Sequence, residues 1–227
     1  SDVSSGDIEN KNFFSIIING NVKQVIEGTP YLKYHKIEVN SPDSFCSIEV
    51  FKRTEAFCAV AVFHGIKYRK GELKKQTLKQ RRIEWVGDSF LVGYGNLVSI
   101  DSPPKGNPNT GFHSINQDAY LAFGAITSRF LRADFSCVGY SGKGVYRNFD
   151  KSEEETLPKI YSMLYPNAGL EKEYDFSFNP HLIVIKIGTN DFGAEMGDFP
   201  DMTDSLRFVT TYLKFLQFVT QKNPQAK

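Results

Sequence analysis

Three short, largely apolar runs in the second half of the chain, each ending at a glycine, limit the folds that this sequence can adopt. The runs are IEWVG (83–87), ADFSCVG (133–139) and HLIVIKIG (181–188). Such runs are typical of strands in a parallel sheet covered on both faces. Segments with helical periodicity separate them, so the order strand, helix, strand, helix, strand predicts a three-layer α/β domain with a mainly parallel sheet.

The predicted helices differ in length. Between the first two runs, apolar residues recur at three- and four-residue steps, namely Ile115, Ala119, Ala122, Ile126 and Phe130. TLPKIYSMLY (156–165) predicts a short helix. A long helix is predicted at 203–223, stopping before Pro224, with one apolar face formed by Leu206, Val209, Leu213, Leu216 and Val219.

Residues 1–80 show short strand patterns without helical periodicity. FFSIIINGNVKQVIEG (13–28) predicts a hairpin closed by Asn19-Gly20, and FCSIEVFKRT (45–54) and CAVAVFHGIKY (58–68) each predict a strand. Several short strands predict an all-β sandwich. We therefore divide the chain into a β-sandwich at 1–80 and an α/β domain at 81–227. The basic stretch 69–82 is expected to be a linker or a solvated edge.

Composition narrows the range of partners. The 27 Lys and Arg residues are balanced by 26 Asp and Glu residues, so the chain has too little net charge to attract nucleic acid or anionic lipid. The apolar runs are far below the ~20 residues that span a bilayer. No nucleic-acid or membrane partner is therefore expected. Cys46, Cys58 and Cys137 lack C-x-x-C spacing, so no zinc site is indicated; a Cys46–Cys58 bridge is one option, and buried free thiols are the simpler interpretation.

The residues that follow the three strands carry groups suited to acyl transfer. VGDS places Ser89 after the first strand, GYSGKG places Gly142 after the second, and IGTND places Asn190 after the third. A lone Gly-Asp-Ser is ordinary turn chemistry. Carboxyl ends of neighbouring parallel strands lie at one edge of a sheet, so we expect the three residues to converge. Ser89 would be the nucleophile, and its own N–H, the Gly142 N–H and the Asn190 amide would stabilise the oxyanion.

Three neighbouring residues are candidates for supporting or binding roles. Asp88 is expected to fix the turn around Ser89 by accepting backbone N–H bonds, and Asp191 is expected to act in a similar way. Tyr94 is a candidate for the binding pocket. Trp85 is expected to lie in the core rather than to stack against a sugar.

These motifs resemble the SGNH (GDSL-type) hydrolases, with GDS as the first block, the glycine of SGKG as the second and GTND as the third. From FKRTEAF through FHGIKY, RRIEWVGDSFLVGYGN and YSGKGVYRN to IKIGTNDF, over about residues 40–195, the chain is similar to carbohydrate esterase family 2, whose members join a jelly-roll to an SGNH domain. The resemblance implies a secreted or cell-surface enzyme that removes acetyl groups from polysaccharide such as xylan or glucomannan, with no metal or organic cofactor.

One block of that family pattern, a D-x-x-H whose histidine is the general base, does not occur in these 227 residues. The residues three positions before the four histidines are Leu32, Ala61, Thr110 and Phe178. His181 opens the third strand, roughly 30 Å from the crevice at ~3.3 Å per residue. His113 follows the loop DSPPKGNPNTGF (101–112) and could approach Ser89, but a structural role is the more common one for a histidine at such a position.

We therefore expect the base to come from outside these residues, in a C-terminal segment or on a second chain that completes the catalytic domain. Two alternatives stay open: a non-catalytic carbohydrate-binding protein on the same fold, and a GDSL lipase or lysophospholipase that shares the chemistry.

Overall fold

A computed structural model describes residues 11–39, 45–98, 113–166, 172–193 and 202–227. In these ranges the chain forms two three-stranded sheets. The strands are β1 (Phe13–Ile18), β2 (Asn21–Glu27), β3 (Ile48–Lys52), β4 (Arg81–Gly87), β5 (Ala133–Gly139) and β6 (Leu182–Lys186). The helices are α1 (Phe123–Phe130), α2 (Leu157–Ile160), α3 (Thr189–Phe192) and α4 (Met202–Lys222), with 3-10 turns at Ser114–Asn116 and Ala119–Leu121.

The N-terminal sheet is antiparallel and has the order β2-β1-β3. Its hairpin is confirmed, because Asn19 and Gly20 have φ angles of 49° and 79°, as a type I′ turn requires. The central strand β1 carries the buried run Ile16, Ile17 and Ile18.

The strand predicted at 58–68 was wrong. Residues 59–68 run outside any hydrogen-bonded ladder of the described residues, and Val60, Val62, Phe63 and Ile66 are exposed. Strand-type residues form a strand only where a neighbouring edge and a half-buried face are available to them. The described part of residues 1–80 therefore forms one sheet, and the two-sheet sandwich and the boundary at residue 80 stay predictions.

The second sheet is parallel, as predicted, with the order β5-β4-β6. Gly87 at the end of β4 is in register with Gly139 of β5 and Lys186 of β6. The carboxyl ends of the three strands therefore lie at one edge of the sheet, with the end of β4 in the middle.

Helices cover both faces of this sheet, which confirms the three layers. On one face Ile83, Trp85, Leu91 and Ala133 form a cluster next to α1. On the other face Val86 packs with residues of α2 and α4, namely Leu157, Ile160, Phe215 and Val219, and with Tyr161. None of the helices that the structure describes has the length and apolarity needed to cross a bilayer.

The helix predicted from Ile115 begins later, and its predicted face was wrong in part, because Ala119 and Ala122 are buried but Ile115 is exposed. The Asp118 side chain accepts the Tyr120 N–H at 2.9 Å, which favours a tight 3-10 turn before α1 starts at Phe123. Ile126 and Phe130 are 47% and 86% exposed. The buried face instead carries small residues, because Gly124 and Ser128 lie directly against Trp85, whose indole N–H donates to the Ser128 hydroxyl at 2.9 Å.

The long helix α4 ends at Lys222, so its predicted end before Pro224 is confirmed. Its predicted apolar face was wrong in part, because Leu206, Val209 and Leu213 are exposed while Phe215 and Val219 are buried. Phe215 packs edge-on against Tyr161 with ring centroids 5.3 Å apart. Aromatic side chains remove more apolar area from water than Leu or Val, so they select the face that meets the core.

The three cysteines are free thiols, so the Cys46–Cys58 bridge does not form. Cys58 is buried, and burial raises the pKa of its thiol to about 12. Such a thiol is unreactive at neutral pH.

Candidate active site

Three loops meet at the carboxyl edge of the parallel sheet. Ser89 is half-buried in the turn after β4, Gly142 lies in the turn after β5, and Asn190 lies in α3 just after β6. Since β4 is the central strand, the Ser89 turn lies between the other two loops.

The Ser89 turn is held from both sides. Asp88 is completely buried and accepts the Phe90 N–H at 3.2 Å, as its turn chemistry predicts. The Lys186 ammonium at the end of β6 lies 3.1 Å from both oxygens of the Asp88 carboxylate. On the other side, the Tyr140 N–H donates to the Gly87 carbonyl at 3.1 Å. Asp88 thus joins the first loop to the end of β6, directly before the third loop.

Gly142 has a left-handed backbone, with a φ of 77°. A Cβ on this residue would meet only the Phe149 Cβ, at 4.0 Å. Glycine is therefore favoured here by the backbone conformation rather than by a lack of space. The Phe149 N–H donates to the Gly142 carbonyl at 2.8 Å, which anchors one side of the loop.

Asn190 and Asp191 tie the second loop to the third. The Asn190 amide is buried and donates to the Lys143 carbonyl at 2.8 Å, and its second hydrogen has no acceptor among the described residues. The Asp191 carboxylate is completely buried and accepts the backbone N–H groups of Val145, Tyr146 and Arg147 at 2.9, 2.9 and 3.2 Å. Asp191 therefore shapes the segment that follows Gly142.

Tyr94 lies in the same turn as the candidate nucleophile, because its N–H donates to the Ser89 carbonyl at 3.0 Å. Burial, together with the negative charge of Glu55, raises the pKa of its phenol. Tyr94 is therefore near both Ser89 and Glu55, and its role in binding stays a prediction.

Two supporting residues were missed at the sequence level. Lys186 is the one charge in an otherwise apolar run, and that exception was the available signal. Glu55 is buried and bonds to Ser141, directly before Gly142. Glu55 lies within FKRTEAF, one of the stretches that carried the family resemblance.

No histidine is hydrogen-bonded to Ser89 in the described part of the chain. His181 lies at the opposite end of the sheet, where its Nδ1 accepts the Arg82 N–H at 3.1 Å. From Arg82 to Gly87 the strand spans roughly 16 Å at ~3.3 Å per residue. The separation is smaller than the sequence suggested, because β6 has only five residues. His113 is exposed, and no described hydrogen bond joins a histidine to Ser89.

Among the described side chains, no group of three or more His, Cys, Asp and Glu residues is placed to hold a metal ion. The polar groups at the carboxyl edge are instead a hydroxyl, amide N–H donors and buried carboxylates. The three-layer α/β fold and the residues of these three loops resemble the class of SGNH hydrolases.

Comparison with known proteins agrees with this class. No family model matches the chain. The chain is 27% identical to the cellulase/esterase CelE of Acetivibrio thermocellus over 218 residues, which cover 95% of this chain and 25% of that protein. It is also 27% identical to an acetylxylan esterase / glucomannan deacetylase of Cellvibrio japonicus over 226 residues, covering 96% of this chain and 60% of that protein.

Solved structures give the same relationship. A family two carbohydrate esterase from Clostridium thermocellum, in complex with cellohexaose, has a TM-score of 0.81 at 26% identity, covering 96% of this chain and 63% of that one. A carbohydrate esterase family 2 enzyme with a carbohydrate-binding domain, from Corynascus thermopiles, shares the fold with a TM-score of 0.75. The chain thus resembles carbohydrate esterase family 2 in sequence and fold, and it spans less than two thirds of these relatives' length.

Proposed function

We propose that this chain carries the nucleophile and the oxyanion donors of a serine esterase that removes O-acetyl groups from carbohydrate. The observation that carries the proposal is the position of Ser89, Gly142 and Asn190 at the carboxyl ends of three adjacent parallel strands. The relatives named as acetylxylan esterase / glucomannan deacetylase support acetylated xylan or glucomannan as the substrate class. Such polymers are too large to enter cells, so we also propose that the enzyme acts outside the cell.

In this mechanism the Ser89 hydroxyl attacks the acetyl carbonyl while a general base takes its proton. The N–H groups of Ser89 and Gly142 and the second amide hydrogen of Asn190 would stabilise the oxyanion of the tetrahedral intermediate. The protonated base then gives its proton to the departing sugar oxygen, which leaves as a hydroxyl. Water repeats the attack on the acetyl-serine and releases acetate.

The proposed base comes from outside these 227 residues, in a C-terminal segment or on a second chain. The position of His181 at the far end of the sheet and the greater length of the relatives both support this. The edge of β6 that faces away from β4 can also pair with a parallel strand, because Lys227 already pairs with it in that direction. The Lys227 N–H donates to the His181 carbonyl and the Ile183 N–H donates to the Lys227 carbonyl, each at 3.0 Å. A further parallel strand on this side would bring its carboxyl end to the same edge as Ser89.

The full-length protein tests the proposal by release of acetate from acetylated xylan and from p-nitrophenyl acetate. We expect turnover in the ordinary enzymatic range of about 1–10³ per second. Ser89→Ala should lower the rate at least about 10³-fold. Ser177→Ala, at an exposed serine near the opposite end of the sheet, is the control and should change nothing. A folded full-length protein that releases no acetate would refute an esterase function.

A second candidate is a carbohydrate-binding protein without turnover, favoured by the absence of a base in contact with Ser89 in the described residues. A relative with a TM-score of 0.64 at 25% identity is described as a carbohydrate esterase whose active site has divergent catalytic and non-catalytic binding functions. Tight binding of cello- or xylo-oligosaccharides without release of acetate would support this candidate. A preference for long acyl chains over acetyl esters would instead support a lipase.

A further inference from the structure

A buried carboxylate from the N-terminal part of the chain reaches the loop that carries Gly142. Glu55 follows β3 and is 5% exposed. Its carboxylate accepts both the backbone N–H and the hydroxyl of Ser141, each at 2.6 Å. These two bonds span 86 positions in sequence, so they join regions that no local pattern connects.

Glu55 is itself held in place by Gln117. The Gln117 amide donates to the Glu55 carboxylate at 2.8 Å and to the Val92 carbonyl at 3.0 Å, and it accepts the Glu55 N–H at 3.2 Å. Gln117 is completely buried. Glu55 thus links three segments: its own loop, the turn before α1, and the turn after β5.

The position of these bonds matters because Gly142 would otherwise be free to rotate. Glycine has more backbone conformations available than any other residue, and Gly142 already adopts a left-handed one. The rigid peptide plane that carries its N–H lies between two anchored groups. Glu55 holds Ser141 on one side, and the Phe149 N–H holds the Gly142 carbonyl on the other.

We infer that Glu55 is a positioning residue for the reaction, which fixes the direction of the Gly142 N–H by holding Ser141. This inference rests on the proposed function, in which that N–H stabilises the oxyanion. Glu55 contacts Ser141 rather than Ser89, so it acts through the loop and not on the reacting atoms. Burial raises the pKa of Glu55, whereas the Ser141 hydroxyl and N–H and the Gln117 amide favour its ionised form.

Three substitutions of Glu55 in the full-length protein separate position from charge. Glu55→Ala removes both bonds to Ser141, and kcat should fall about 10- to 100-fold with KM within about threefold, because the lost stabilisation applies to the transition state. Glu55→Gln keeps the reach, because its oxygen can accept the Ser141 N–H while its NH₂ donates to the Ser141 hydroxyl. That NH₂ then faces the Gln117 NH₂ and loses only the bond to Gln117, so the variant should retain at least about a third of kcat. Glu55→Asp keeps the charge but withdraws the carboxylate, so its kcat should fall about 10-fold.

Thr54→Val is the matched control. Thr54 directly precedes Glu55 in the chain and is buried to the same degree. Its hydroxyl donates a hydrogen bond to the Asn12 side chain and not to Ser141. The variant should lower the melting temperature without changing kcat. Amide hydrogen exchange of residues 140–144 gives a readout that does not depend on activity. Exchange should speed up in Glu55→Ala and Glu55→Asp, and it should stay unchanged in Thr54→Val.

The inference is overturned if folded Glu55→Ala keeps the wild-type kcat, if its loss appears in KM alone, or if Glu55→Gln is as inactive as Glu55→Ala. If Glu55→Ala does not fold, the order of Glu55→Gln above Glu55→Asp in kcat decides the question. A wild-type protein that releases no acetate refutes the proposed function. The rate of amide hydrogen exchange at residues 140–144 then decides separately whether Glu55 holds the loop.

Discussion

Replacing Asp191 by alanine should destabilise the whole protein, because its carboxylate holds the segment that follows Gly142. The carboxylate accepts three consecutive backbone N–H bonds and has no exposed surface. A hydrogen bond to a charged group contributes about 1.5–3 kcal/mol, and an unpaired buried N–H costs a similar amount. The three bonds share one acceptor and are not additive. We therefore expect a loss of about 4 kcal/mol in the free energy of unfolding.

In a chain of this length, 1 kcal/mol corresponds to about 2–4 °C in Tm, so Asp191→Ala should lower Tm by roughly 8–16 °C. Asp191→Asn keeps one acceptor oxygen but turns an NH₂ group toward the Val145 N–H, so its loss should be about half as large. Thermal unfolding followed by circular dichroism measures both.

Asp175→Asn is the control for this series, because Asp175 is exposed and its carboxylate accepts a backbone N–H from Ser177 at 3.0 Å. Its effect should stay within about 0.5 kcal/mol. An Asp191→Ala protein as stable as this control would refute the reasoning. A higher KM in Asp191→Asn at unchanged Tm would instead show that Asp191 contacts substrate.

Three further predictions concern the same domain. Lys186→Met leaves buried Asp88 without its cation, so the unfolding free energy should fall by about 2–3 kcal/mol and kcat should fall at least about 10-fold. Lys79→Met is the control, because the Lys79 side chain has the same 38% exposure, and it should lower the unfolding free energy by less than about 1 kcal/mol. Gly144→Ala would place a Cβ on a neighbouring carbonyl oxygen, so the variant should be insoluble or strongly destabilised in expression and melting assays. Burial raises the pKa of the Glu84 carboxyl above its ordinary value of 4.5. Its contribution to the unfolding free energy is therefore fully present below pH 4.5 and is lost as the pH rises through the raised pKa. Glu84→Gln should flatten this decline when unfolding is measured as a function of pH.

The parallel sheet and the loops at its carboxyl edge were predictable from sequence. Short apolar runs ending in glycine are local signals, and parallel strands place their ends together whatever the rest of the chain does. The Asn19-Gly20 hairpin was predictable for the same reason, because its turn is determined by the residues that form it.

The buried faces of the helices were not predictable in the same way. Periodicity shows that a helix has an apolar side, but the packing partner selects which residues are buried. Gly124 of α1 faces the core because Leu91 and Trp85 pack directly against it, and they leave no room for a larger residue. Phe215 of α4 is buried because it meets Tyr161, which lies 54 positions earlier in the chain.

The sequence alone determined which residues could do chemistry at the edge of the sheet, because Ser89, Gly142 and Asn190 each follow a strand that local patterns identify. Tertiary structure alone decided what holds them. The bonds from Glu55 to Ser141 and from Lys186 to Asp88 join residues 86 and 98 positions apart. Such pairs carry no local pattern, since they form only when separate parts of the chain are packed together and a buried charge has to find its partner.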